Sequence, residues 1–398
     1  MEKKLIEKQK IPEYIFYALC GYAFFSPFSI TLGEIFFIVG LILWGFDIVL
    51  NKTGIKKNII MPVALPLAVF AVWHLVCALL GLDILNSLQD WRKVYLFLMV
   101  FLAAEYLLRD SKKTRLLADA FISGIFIVSG YAIVCTVTNN NPDFRPASFS
   151  GNYMHLGGML MMGFVVCLSL LVNGYKDKNA KFLRTLSYGV ALLVIATALI
   201  MTKTRGSWLG AMVGFLIITL LIDRRLIIAV VLIVVTVFFT VKDNTYIERF
   251  KDIVRVKKGS SAIERIYMWQ SGVEMIKDRP VFGIGTANVG KVYPKYRKAE
   301  AIEDQEGHLH NNFIQVAVID GIPGFIFFIW IFSTLIFVQV RAVLKNKKNV
   351  LLLAGAAVSL AFFVNGFFEY NLFSSQVALM FWFITGASLA QVRDTKNA

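Results

Sequence analysis

Gly307-His308-Leu309-His310-Asn311-Asn312-Phe313 runs on through Gly321-Ile322-Pro323-Gly324 into the apolar stretch Phe325–Val340. The order of these residues decides the fold class: a long polar segment ends, two histidines and two asparagines follow, and a run long enough to enter a hydrocarbon layer begins. The chain has four histidines, so half of them share this junction. A lone histidine near a helix end is commonly a packing or capping residue. Two of them, flanked by asparagine and by a Gly-x-Pro-Gly turn, point as much to a chemical site as to capping.

Outward from this junction the alternation of apolar run and polar connection repeats. Of 398 residues 57% are apolar and 17% charged, and the mean hydropathy is +0.66, far from the composition of soluble globular domains. The reading is an all-α polytopic membrane protein of about 12 transmembrane helices, near 13–30, 32–50, 59–81, 91–108, 116–138, 153–172, 185–201, 206–222, 225–241, 312–340, 350–368 and 372–391. It divides into spans one to nine (1–241), one large outer loop with an amphipathic helix (242–311), and spans ten to twelve with a tail (312–398), all integrated in one membrane domain.

The net charge of +15 could suggest nucleic acid as a partner, but the basic residues lie in short clusters between apolar runs, as the positive-inside rule requires. With the N-terminus in the cytoplasm, the inner segments hold 23 of the 41 Lys and Arg residues, the short outer connections five, and the long outer segment the remaining 13. Short loops report orientation and long ones cross regardless of charge, so both termini are expected in the cytoplasm. Met1–Lys10 is basic and no small-residue cleavage site follows the first apolar run, so that run is expected to stay as a helix. Cys20, Cys77, Cys135 and Cys167 each sit inside an apolar segment, without the spacing of a disulfide framework or a zinc site.

Within the outer loop, Ser261 and Glu264 have capping-box spacing, and Ile266, Trp269, Val273 and Ile276 recur at helical intervals until Asp278-Arg279-Pro280. This predicts an amphipathic helix lying on the membrane domain or at the lipid interface.

Four places put charge at an outer membrane edge: Asp143–Tyr153 with Arg145, Thr202–Trp208 with Arg205, Glu264–Trp269 with Arg265, and His308-Leu309-His310-Asn311. Arginines at a membrane surface can snorkel toward headgroups, and Arg279 and Arg297 read that way or as simply solvated. Gly206 and Ser207 leave room for a ligand beside Arg205. The positive reading is a pyrophosphate site, since guanidinium matches phosphate oxygens bidentately and stays charged in a low dielectric. His310 would then be a general base for a sugar hydroxyl near neutral pH, or a hydrogen-bond donor to phosphate. A metal site from His308, His310 and Asp304 or Glu306 is not expected, because no further His or Cys stands at usual ligand spacing. His74 and His155 read as packing residues, Gly283-Ile284-Gly285 as a turn, and Glu369 as a possible acid but in the first place a solvated loop end.

These motifs together resemble the O-antigen ligase and polymerase superfamily of bacterial envelope glycosyltransferases. The resemblance rests on His310-Asn311, nine residues, then Gly321 to Gly324, on the Thr202–Arg205 turn, on Arg265–Trp269, and on the long outer loop before the histidines. It implies a fold like that of C-type membrane glycosyltransferases in the bacterial inner membrane. It also implies a metal- and cofactor-independent, inverting transfer of a glycan from undecaprenyl pyrophosphate to an acceptor on the periplasmic face. Arg205 and Arg265 match the family's phosphate-binding arginines and His310 its essential histidine; Arg145 matches less distinctively, and His308 and Asn311 are expected to orient the substrate. Within the superfamily the ligase that joins polysaccharide to lipid A–core is the first expectation, a repeat-unit polymerase the second, and a protein O-oligosaccharyltransferase the third.

A transporter or flippase would also give many spans. Against it the sequence reading sets the lack of ionisable residues in mid-span, and of Gly/Pro-broken helices at matching places in two halves.

Overall fold

The computed structural model describes residues 2–51, 57–107, 111–141, 143–147, 151–176, 181–222, 261–302 and 307–392. The span expected near 225–241, the outer loop up to residue 260, and Asp304 and Glu306 lie outside the described residues. The described residues are mostly helical, without a strand among them. The helices are α1 (Glu2–Phe25), α2 (Ile30–Asn51), α3 (Lys57–Leu79), α4 (Ile84–Trp91), α5 (Leu98–Tyr106), α6 (Ser111–Thr138), α7 (Tyr153–Lys176), α8 (Phe182–Met201) and α9 (Arg205–Ile222), followed by α10 (Ser261–Asp278), α11 (Val289–Tyr296), α12 (Asn312–Lys345), α13 (Val350–Asn365) and α14 (Ser375–Ala390). Among the described residues 7 helices are long and apolar enough to cross a membrane: α2, α3, α6, α7, α8, α9 and α12. The chain is therefore a multi-pass α-helical membrane protein.

The shorter α13 and α14 have 16 residues each, about 24 Å of helix, yet they form the centre. Every residue of α14 from Gln376 to Ala390 is buried, which suits a helix that is apolar on all sides. It packs on α5, α13 and α7. Close approach here depends on small residues. Gly206, Gly210 and Gly214 form one stripe of α9, and a Cβ on Gly210 would lie 2.2 Å from Met161 Sδ and 2.9 Å from the Ala361 carbonyl. Such stripes let membrane helices pack backbone to backbone.

Two expected spans are broken. The run near 91–108 divides into α4, a 3₁₀ turn over Arg92–Phe97 and α5. The run from 312 bends inside α12, where Gly321 takes φ 69° and ψ −176°. The carbonyls freed by this break are not left bare. Val318 O and Ile319 O accept from Ile284 N and Gly285 N at 2.9 and 3.0 Å, and Asp320 O accepts from Trp73 Nε1 at 2.8 Å. Irregular backbone at membrane depth is tolerated when protein satisfies it in this way. Residues 312–320 thus form a short half-helix whose C-terminal end is held by α3 and the 280–286 loop, and whose N-terminal end meets the histidine junction.

The expectation of no ionisable residue in mid-span is overturned by His74 and Asp320, and further charged groups stand nearer the helix ends. His74 Nδ1 and Asp320 Oδ1 are 2.7 Å apart and buried, Tyr106 donates to buried Asp47 at 2.6 Å, and Arg184 pairs with Asp119. Each carboxylate has a polar partner on another helix, the condition under which such groups persist in a membrane interior. His74 is also stacked between Phe70 and Phe373, and His155 meets Ser374 Oγ at 3.0 Å. Both histidines are packed and partnered, as expected.

α10 is the amphipathic helix read in the outer loop, but its buried face is turned from the expected one. Glu264, Met268, Ser271, Gly272 and Met275 face inward, while Val273 is 44% exposed. The cause is Gly272, whose missing side chain admits Leu309 and Ile314; a Cβ there would come within 2.7 Å of both. Met268, Met275, Ile284, Tyr293, Leu309 and Val318 make a second small core that ties α10 and α11 to the half-helix of α12. The capping-box residues serve other partners: Ser261 Oγ accepts from Arg205 at 2.9 Å and Glu264 Oε2 accepts from Ile302 N at 3.0 Å.

Candidate active site

Asn311 starts the site from the backbone up. As N-cap of α12 its side-chain oxygen accepts from Phe313 N and Ile314 N at 2.9 and 3.0 Å, satisfying two of the donors that open a helix. Its amide donates to Phe367 O at 3.1 Å. Asn312 binds the same connection, with its side-chain oxygen accepting from Asn371 N at 3.0 Å. The two asparagines thereby lock the start of α12 onto the α13–α14 connection that carries Glu369. On the other side, Leu309 is buried, and its carbonyl accepts from Trp269 Nε1 of α10 at 3.1 Å.

Between these anchors His310 sits in the left-handed region at φ 47°, a conformation that costs a β-carbon residue roughly 1–2 kcal/mol and persists where neighbours fix both sides. It brings the rings of His308 and His310 to 4.2 Å, nearly edge to face. His310 Nδ1 lies 3.0 Å from Glu369 Oε1, and Arg265 stands 3.6 Å from Glu369 Oε2, an ion pair rather than a close hydrogen bond.

Glu369 is therefore no solvated loop end. Its side chain is 10% exposed. Burial pushes its pKa up, but the hydrogen bond from His310 and the charges of His310, Arg265 and His308 outweigh it and hold the carboxyl below its usual range. An ionised carboxylate only accepts, so His310 Nδ1 is the donor in this contact. His308 is pushed down to about 4 by burial and by His310; it is neutral at neutral pH.

A cavity of about 290 Å³ opens beside this pair, lined by Arg145, Lys203, Arg205, Ser207, Arg265, His310 and Glu369 among others. Arg145 stacks its guanidinium 4.5 Å over the Tyr153 ring and reaches the Lys203 carbonyl at 3.4 Å. Lys203 is buried and also left-handed, at φ 55°, in the tight α8–α9 connection that presents Arg205. All three arginines and His310 thus line one cavity, although they come from four separate segments. Asn311 holds the backbone behind it. His308 lies against His310.

Sequence reasoning passed over Glu369 and Lys203. The signal for Glu369 was a lone acid in a connection of a few residues between two apolar runs, where a solvated group needs no special partner. Asp304 and Glu306, weighed as companions of the histidines, lie outside the described residues, and Glu369 occupies that place.

The fold and the cavity define a class: a multi-pass membrane protein with a polar site at one end of its bundle, built from arginines and a histidine–carboxylate pair. Residues 190–329 match the family model described as O-antigen ligase, so over that segment the chain is similar to the O-antigen ligase superfamily. The matched segment contains Arg205, Arg265, His310 and the Gly321 break, while Arg145 and Glu369 lie outside it. A protein of Haemophilus influenzae, described only as uncharacterized, is 28% identical over 170 residues, 38% of this chain and 43% of that protein; the similarity thus spans less than half of either.

Proposed function

We propose that this protein is an O-antigen ligase of the bacterial inner membrane, joining a polysaccharide carried on undecaprenyl pyrophosphate to a sugar of lipid A–core at the periplasmic face. The observation that carries the reading is the single cavity in which Arg145, Arg205 and Arg265 meet His310 and Glu369.

Each group has a task in an inverting transfer. The acceptor hydroxyl gives its proton to His310 Nε2 as its oxygen attacks the anomeric carbon. The bond from that carbon to the pyrophosphate oxygen breaks on the opposite face, and its electron pair leaves with the phosphate. Arg205, Arg265 and Arg145 stabilise the charge that grows there, in a site where fixed donors act more strongly than in water. Glu369 stabilises the imidazolium and fixes its tautomer, the role of the carboxylate in a histidine triad. His308 and Asn311 keep the ring in place. The superfamily's other reaction, repeat-unit polymerisation, would use the same groups with a different acceptor.

Complementation of a deletion strain tests the reading. The wild-type gene should restore long polysaccharide on lipid A–core, and Arg205→Ala or His310→Ala should leave it on the lipid carrier. Full-length polysaccharide on lipid A–core at wild-type levels in both variants would sink the site. Lipid A–core bearing a single repeat unit in the deletion strain would make the protein a polymerase.

A further inference from the structure

We infer that His308, His310 and Glu369 form a binding site for a borderline transition-metal cation of the Zn²⁺ type, and that the ion inhibits the enzyme by binding the ring nitrogen of His310 that faces Glu369 and forcing the ring's proton onto the other nitrogen. One ligand atom from each of the three side chains lies within 4.8 Å of the others. Tetrahedral zinc with bonds near 2.0–2.1 Å needs ligand atoms about 3.3 Å apart. His310 Nδ1 and Glu369 Oε1 are already 3.0 Å apart, so rotation of side chains by an ångström or so completes the set.

Two further features favour an ion over a simple hydrogen-bonded cluster. Among the described residues His308 Nδ1 is buried with no hydrogen-bond partner, in a ring that lies 4.2 Å from that of His310, and an orphaned buried nitrogen beside a carboxylate calls for a partner. Arg265 holds Glu369 by Oε2 and leaves Oε1 to the site, an outer contact of the kind that orients a ligating carboxylate. Two imidazoles and one carboxylate with an open fourth position select zinc, copper or nickel over calcium or magnesium. The neighbouring arginines oppose a dication, which sets the affinity below that of dedicated zinc sites.

The inhibitory step rests on the proposed role of His310. In the working site Nδ1 carries the proton and Nε2 accepts one. An ion that binds Nδ1 takes the electron pair that held that proton, the ring's one proton moves to Nε2, and the nitrogen that would accept the proton of the acceptor hydroxyl is then occupied. The ion and the reaction therefore exclude each other.

The test uses the full-length protein without a polyhistidine tag, in lipid nanodiscs, titrated with Co²⁺ as an absorbing probe and then with Zn²⁺ in competition. Uptake saturating at one ion per chain is expected, weakened about tenfold or more in His308→Ala and in Glu369→Gln, with unchanged size-exclusion profiles showing both variants folded. His308→Gln serves if His308→Ala does not fold. No saturable uptake, or uptake that these substitutions leave unchanged, overturns the site. In a transfer assay with purified donor and acceptor, Zn²⁺ should stop the wild type and a chelator restore it. Uptake at the three side chains without loss of transfer would leave the metal site standing and overturn both its inhibition and His310 as the base.

Discussion

Glu369 divides its two oxygens between His310 and Arg265, so in the proposed reaction its charge would both set the tautomer of the base and compete with phosphate for an arginine. Glutamine keeps the shape and removes the charge. Glu369→Gln should lower transfer on the order of 10²-fold or more with donor binding retained; a variant within threefold of wild type, roughly the scatter of such estimates, would show that His310 works without it. A second prediction concerns His308. An unfolded histidine titrates near 6.5, while the folded one is pushed down to about 4 by burial and His310. Between these values the unfolded chain binds the extra proton, so stability falls as pH falls through that window, by something on the order of 2–3 kcal/mol. Melting in detergent with chelator present should show this decline from pH 6.5 to 4, and His308→Gln should flatten it; parallel curves would refute the assignment. At this scale the sequence was informative about cations and histidines, because Arg205, Arg265 and His310 each stand in a short distinctive motif. It was silent on Glu369, because the partner that makes an acid functional stands 59 residues away.

At the scale of elements, the periodic apolar runs made most helices legible, and the His-Asn junction did stand at the head of one. The break inside α12 was not legible as such. Gly321-Ile322-Pro323-Gly324 was read as a rigid turn, yet the run 312–340 was counted as one span, since hydropathy does not register a single left-handed glycine. The face of α10 was misjudged for a related reason: periodicity locates apolar residues, but here a glycine sets the closest approach. Gly321 carries the consequence. A Cβ there would lie 2.0 Å from the Val281 carbonyl, and alanine at φ 69° adds about 1–2 kcal/mol of its own. Gly321→Ala should lower the melting temperature and reduce polysaccharide transfer, because the half-helix that ends there begins at His310. Gly307→Ala makes the control, since its Cβ would meet nothing within 4 Å. Equal behaviour of the two variants would mean that the break does not position the site.

At the scale of the molecule, orientation is the property on which the proposed ligase function depends most, because its two proposed substrates would have to meet on one side of the membrane. Arg145, Arg205, Arg265, His310 and Glu369 share one cavity and hence one end of the bundle. The opposite end carries the α12–α13 connection, where Asn349 bonds Gln391 at 3.3 Å and Lys345, Lys347 and Lys348 cluster. From the sequence that second end is expected in the cytoplasm, because lysine and arginine in short loops resist translocation. Single cysteines in a background where Cys20, Cys77, Cys135 and Cys167 are replaced by serine read this directly. Lys298→Cys, beyond α11 on the cavity side, should react with a membrane-impermeant maleimide in cells whose outer membrane has been opened. Lys347→Cys should react only after the inner membrane is permeabilised too. The reverse pattern would place the cavity in the cytoplasm, away from both substrates, and would end the ligase reading whatever the chemistry of His310.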